Sequence, residues 1–204
     1  MGPEAETEGA GEELIREILD REQAMFVAVP SRYPAPCQSD LPSFRLHRAA
    51  QFSVWSTEAL RSYRDDLIRA EAEERNLMTL KYARMENLVP ALHRDPGVKE
   101  RILRIVAVQV GWQRELAVRF PRLMGRGRPL ENGDAPGQAT SFSTYLKGEL
   151  ETYSEETLFL LHRDVAEAEA EGRNLTEGVY RRLVRDMGYA SMEDAEERIR
   201  QGKA

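Results

Sequence analysis

Glu22 stands in the middle of an otherwise apolar helical stripe, with Ile15, Ile18, Met25 and Val29 on the same face. A carboxylate buried there is costly unless paired, and burial raises its proton affinity toward a range useful for acid–base chemistry. Its counterpart Gln109 holds the same place in a second stripe of Ile102, Ile105, Trp112 and Leu116. Gln51, Trp55 and Glu58 are spaced i, i+4, i+7, which puts them on one face of a continuous helix; Glu149, Tyr153 and Glu156 repeat the spacing. Arg48 and His47 extend the first of these stripes, and Tyr145 extends the second. Turned toward one another, the stripes make Glu22, Glu149, Glu58 and Glu156 candidate general acids and bases. Trp55, Tyr153, Trp112 and Tyr145 become candidate walls, with Gln51, Gln109 and Arg48 as polar contacts for a small molecule. Clustered carboxylates set one another's protonation, which suits lyase, isomerase or cyclase chemistry on a polar or anionic metabolite. The same residues also suit a filled structural network or a solvated helix face.

An anion has a second candidate partner in the loop Gly125-Arg126-Gly127-Arg128-Pro129, where Arg126 and Arg128 can present planar forks to a carboxylate or phosphate. The loop lacks the Lys-Ser/Thr ending of a P-loop, so nucleotide binding is not indicated. Four helical carboxylates invite comparison with di-metal bundles, but those require a Glu-x-x-His from each of two helices, and neither is present. The three histidines, His47, His93 and His162, are scattered, and neither a metal nor a cofactor is expected. Cys37 is the only cysteine, which excludes an internal disulfide framework, fits a reducing cytoplasm and reads as a small buried thiol.

These side chains must be carried by helices, because no segment has the alternation of a strand. The first helix is expected from about Glu12 to Val29 and ends before the breaker-rich Pro30 to Pro36. A long helix follows from about Pro42 to Glu73, then one from Leu77 to about Leu92. After Asp95-Pro96-Gly97 the plan restarts: Val98 to Phe120, a Gly/Pro-rich loop, a long helix from about Thr140 to Glu171, Leu175 to Met187, and a short polar helix after Ser191.

The restart is a true repeat. Ser56–Arg84 and Ser154–Arg182 align without gaps at an offset of 98, with 13 of 29 positions identical. The first helices correspond at an offset of 87, pairing Glu22 with Gln109 and Met25 with Trp112. The reading is a single all-α domain over residues 12–204, built from two pseudo-symmetric three-helix repeats at about 12–95 and 98–188. Residues 1–11 read as a disordered acidic tail. Within the repeat, Asn76 and Asn174 are placed to N-cap a helix, and Gly172, replaced by Glu74 in the first copy, to end one. Asp66 with Arg84, and Asp164 with Arg182, are expected to pair across antiparallel hairpins.

A net charge of −6 with interspersed signs leaves no basic stripe for nucleic acid. No apolar run approaches the roughly 20 residues of a membrane span. Four lysines among 29 basic residues suggest a GC-rich bacterial source. Several groups together prompt a family resemblance: Gln51-Phe52 with Trp55, Arg75-Asn76-Leu77, Lys81-Tyr82-Ala83-Arg84-Met85, Gly125–Pro129, Thr140-Ser141-Phe142, Gly148-Glu149-Leu150 and Tyr153-Ser154. On them the chain resembles a bacterial family catalogued as domain of unknown function 4125 from Glu13 to Glu197. That resemblance implies a single whole-chain unit and carries no site residue with it. The expected function is an enzyme acting on a small polar or anionic molecule between the repeats. The alternative is a helical binding or protein-interaction module, with a homodimer as a further possibility.

Overall fold

The computed structural model describes the backbone of residues 3–30, 40–130 and 140–203, and side chains from Gly11 onward. Cys37 and the Gln38-Ser39 that follow it lie outside the described residues. Among those residues all regular structure is helical: α1 Pro3–Val27, α2 Leu41–Phe52, α3 Thr57–Ala72, α4 Leu77–Met85, α5 Pro96–Arg119, α6 Pro121–Met124, α7 Phe142–Leu150, α8 Glu155–Ala170, α9 Leu175–Asp186 and α10 Met192–Arg200.

Each of the two long helices expected from the sequence is in fact two helices. Ser56 caps α3 by accepting from the Ala59 N–H, and Ser154 caps α8 by accepting from the Thr157 N–H. Serine here satisfies an amide that a continuing helix would have bonded internally, so the chain turns after Phe52 and again after Leu150. Each half therefore carries four principal helices rather than three. α1 also begins further toward the chain start than its apolar pattern predicted.

The helix ends within the repeat follow the local signals. Glu74 and Gly172 both adopt positive φ, at 54° and 67°. Asn76 accepts from the Thr79 N–H and Asn174 from the Glu177 N–H, while their side-chain amides donate outward to the Met25 and Trp112 carbonyls of α1 and α5.

Packing pairs come in twos. α1 packs on α2, α3 and α4, as α5 packs on α7, α8 and α9; α4 crosses to α7, α9 crosses to α2, and α3 meets α8. Gly148 permits the first crossing, since a Cβ there would lie 2.7 Å from the Met85 Cγ and 3.3 Å from the Lys81 carbonyl oxygen. Because α4 leans on α1 and α7 instead of folding back on α3, the expected Asp66–Arg84 pair does not form. Asp66 accepts instead from the Ser154 N–H (2.9 Å) and the Thr157 hydroxyl (2.7 Å) of the other half, and Asp164 reciprocates by accepting from the Ser56 N–H (3.0 Å). Arg84 pairs with Glu151, and Arg182 with Asp186 and Glu12. The main apolar core, with Ile18, Leu67, Ile105 and Leu158 at its centre, lies between the halves. A smaller one of Leu116, Phe120, Met124, Val184 and Met192 seats α10.

Candidate functional site

Glu22 is fully buried, as its place in the α1 stripe requires, and it is fully engaged. Its two oxygens accept from Arg48 Nε (2.7 Å) and Nη2 (2.5 Å) of α2, and from the Tyr63 hydroxyl (2.6 Å) of α3. Arg48 Nη1 donates onward to Glu149 (2.7 Å) of α7 and to the Gln51 carbonyl (2.7 Å). The same Glu149 oxygen accepts from the Tyr153 hydroxyl (2.7 Å) and the Gln51 amide (3.1 Å), while its second oxygen takes the Lys81 ammonium of α4. Two carboxylates thus face two cations in a buried site, and the formal charges of the quartet cancel. Such a network holds together only because nearly every donor and acceptor has a partner.

The electrostatics follow from that pairing. Burial alone would raise the Glu149 carboxyl, but Arg48 and Lys81 beside it outweigh burial and hold it well below the usual carboxylate range. Burial works against charge on Arg48 and Lys81, and the adjacent carboxylates overcome it, so both stay protonated. The Tyr63 and Tyr153 hydroxyls are pushed up, by burial first and then by Glu22 and Glu149 respectively. Neither carboxylate has an oxygen without a partner, so each holds Arg48 in place.

A cleft of about 790 Å³ opens beside this network. Its walls come from both halves: His47, Arg48 and Gln51 of α2, Gln109 and Gln113 of α5, Tyr145 and Glu149 of α7, Tyr180 of α9, and Arg128 from the loop after α6. The volume falls within the roughly 300–1,000 Å³ usual for small-molecule sites. Four of its lining residues, Gln51, Gln109, Thr176 and Val179, also border a more closed chamber of about 40 Å³, backed by Trp55, Leu161 and Asp164.

Arg128 is exposed, its guanidinium carbon 4.4 Å from the centre of the Tyr145 ring. Its Nη1 reaches the Thr140 carbonyl only at 3.4 Å, and it pairs with no carboxylate among the described residues. The Lys81 ammonium lies 3.6 Å from the centre of the same ring, so Tyr145 links the buried network to the rim. His47, at the open edge of the cleft, is lowered from its ordinary value by desolvation against the opposing pull of Asp40, and is therefore neutral at pH 7.

The sequence-derived residues divide accordingly. Gln51, Gln109, Arg48, Tyr145, Glu149 and Arg128 meet in the cleft; Trp55 backs the inner chamber; Glu22 and Tyr153 lie behind, in the network. Glu58 and Glu156 do not join them. Both are exposed on an open groove with Arg61 and Asp65, because the turn before Ser56 and Ser154 rotates α3 and α8 out of the stripe. Trp112 borders a different groove with Arg104 and Asn174, and Arg126 is exposed away from the cleft lining. Lys81 and Tyr63 escaped the sequence reading. Lys81 is one of four lysines in an arginine-rich chain and sits within an apolar helix, which was its one available signal.

Among the described residues no helix is long and apolar enough to cross a membrane, and no three of His, Cys, Asp and Glu converge as a metal ion would need. The model of a family described as protein of unknown function (DUF4125) matches residues 12–197. No curated protein and no solved structure matches the chain.

Proposed function

The chain belongs to the DUF4125 family, whose description assigns no activity, and from that premise we propose that its cleft binds a small organic anion. One observation carries the reading: Arg128 stands at the rim with no carboxylate partner among the described residues, beside a quartet already neutral in itself. Among the described residues the cleft therefore has a positive charge in surplus. Gln51, Gln109 and Gln113 supply donors and acceptors from both halves, and Tyr145 and Tyr180 supply ring surface. Such a mixture suits a metabolite with one charged end and further polar groups. A single cysteine and a basic complement poor in lysine support the further proposal of a bacterial cytoplasmic setting.

The test is a thermal-shift panel of small carboxylates and inorganic phosphate. A compound that stabilises the parent is expected to lose at least about tenfold in affinity in Arg128→Ala, since a hydrogen bond to a charged group contributes about 1.5–3 kcal/mol. Glu58→Gln and Glu156→Gln are expected to leave its affinity unchanged. Equal binding by Arg128→Ala would defeat the reading.

A catalytic use of the same cleft, of the lyase, isomerase or cyclase type, is the second reading. His47 favours it, being the one cleft side chain with an ordinary pKa near neutrality that is held in its neutral, proton-accepting form. In that case His47→Gln would abolish turnover of the ligand without weakening its binding.

A further inference from the structure

The two halves differ most where the cleft is. Carried across the repeat, Arg48 corresponds to Leu146, Tyr63 to Leu161, Lys81 to Val179, Glu22 to Gln109, and Glu149 to Gln51. In the first half Arg48, Lys81, Tyr63 and Glu22 are packed solid, with Glu149 reaching them from the second half. In the second, three large polar side chains have become smaller apolar ones, and space appears at those positions: Leu161, Val179, Gln109 and Gln51 all border the inner chamber. The backbone frame is otherwise duplicated, down to the Ser56/Ser154 and Asn76/Asn174 caps and the reciprocal Asp66 and Asp164 bonds. Gln109 and Gln51, the counterparts of the two carboxylates that hold Arg48, thus border a chamber.

What has changed around it is the charge. Arg48 is flanked by two carboxylates, Glu22 and Glu149; the equivalent point is flanked by two carboxamides, Gln109 and Gln51. A cation there would find no free counter-ion, because Asp164 on the chamber wall already accepts from the Ser56 N–H and from Arg163. An anion would lie close to Glu149, to which the Gln51 amide is already bonded. Gln51 is held in a fixed orientation, its carbonyl on Arg48 and its amide on Glu149, leaving one N–H and one lone pair to offer. Gln109 has no hydrogen-bond partner among the described residues, so its whole amide is available.

We infer that the inner chamber receives a planar, uncharged head group with a donor and an acceptor side by side, a primary carboxamide. This rests on the proposed cleft and specifies the end of the ligand remote from Arg128. At roughly 10–15 Å³ for each water position, a chamber of about 40 Å³ holds about three, which matches the three heavy atoms of a carboxamide. Leu161 and Val179 give the chamber apolar wall.

The experiment titrates acetamide, acetate and methylguanidinium into the full chain at constant ionic strength, following the side-chain amide signals of Gln51 and Gln109 and the Trp55 indole N–H by NMR. Acetamide is expected to shift all three saturably, with at least tenfold higher affinity than either ion. Gln109→Leu is expected to remove that response. Gln109→Glu, which restores the carboxylate of the other half, is expected to reverse the preference toward methylguanidinium. Equal responses to all three probes, no response at Gln109, or an unchanged ranking in Gln109→Glu would each overturn the inference. Acetate shifting only the Arg128 side-chain signals speaks for the cleft reading separately. Loss of that response with acetamide binding intact would sink the anion end and leave the head-group assignment standing.

Discussion

Removing Arg48 should be the most damaging single substitution in the molecule. Arg48 is 4% exposed and places one guanidinium on two carboxylates, with two bonds to Glu22 and one to Glu149. In Arg48→Leu, Glu149 keeps Lys81 and Tyr153, whereas the fully buried Glu22 keeps only the Tyr63 hydroxyl. Stranding one partner of a buried ion pair costs about 3–5 kcal/mol. At about 2.1 cal/mol/K per residue over about 200 residues, 4 kcal/mol lowers Tm by about 10 °C. The second half indicates the remedy, for it carries Gln109 and Leu146 where the first has Glu22 and Arg48. The double variant Glu22→Gln/Arg48→Leu leaves only Glu149 and Lys81 charged, and they balance each other. It should therefore be more stable than Arg48→Leu by about 2 kcal/mol despite the extra change, a non-additivity expected of residues in one network. Urea unfolding followed by circular dichroism at 222 nm measures Arg48→Leu, Glu22→Gln and the double variant. A loss below about 1 kcal/mol for Arg48→Leu, or a double variant equal to the sum of its parts, would refute the reasoning.

Other expectations follow from neighbouring features. Because the Glu149 carboxyl is depressed in the folded protein, its contribution is fully present above the ordinary value of 4.5 and is lost as pH falls below it. The stability–pH slope below pH 4.5 should thus be shallower in Glu149→Gln than in the parent, though that variant is less stable at pH 7. Gly148→Ala should destabilise by about 1–3 kcal/mol, the cost of overpacking, since the new methyl meets Met85 and the Lys81 carbonyl where α4 crosses α7; chemical denaturation reads it. Ser56→Ala and Ser154→Ala should each cost about 1 kcal/mol through loss of an N-cap, and additively if the two caps are independent.

What was legible in the sequence was what is decided locally. Asn76 and Asn174 cap the helices they were expected to cap, and Glu74 and Gly172 turn the chain, because a cap needs only the amides three residues away. The apolar stripe around Glu22 correctly marked a buried carboxylate. The break before Ser56 was hidden, since the spacing from Gln51 to Glu58 reads equally well through a continuous helix. That error alone carried Glu58 and Glu156 into a site they do not reach. Asp66 shows the other limit: pairing with Arg84 was the economical local guess, while its partners Ser154 and Thr157 lie 88 and 91 residues away. Lys81 likewise meets Glu149 across 68 residues, through a helix crossing that only Gly148 permits. Contacts of that range belong to the packing of whole helices, which the spacing of residues along one helix does not encode.

The proposed site for a small anion with a polar head lies where Leu146, Val179 and Gln109 stand in place of Arg48, Lys81 and Glu22. A crystal structure of the protein grown with the best-binding anion from the panel tests it most directly. The account predicts the ligand in the cleft, its charged end within about 3 Å of the Arg128 guanidinium and its remote end between Gln51 and Gln109. A ligand bound elsewhere, with Arg128 and both glutamines untouched, would contradict it.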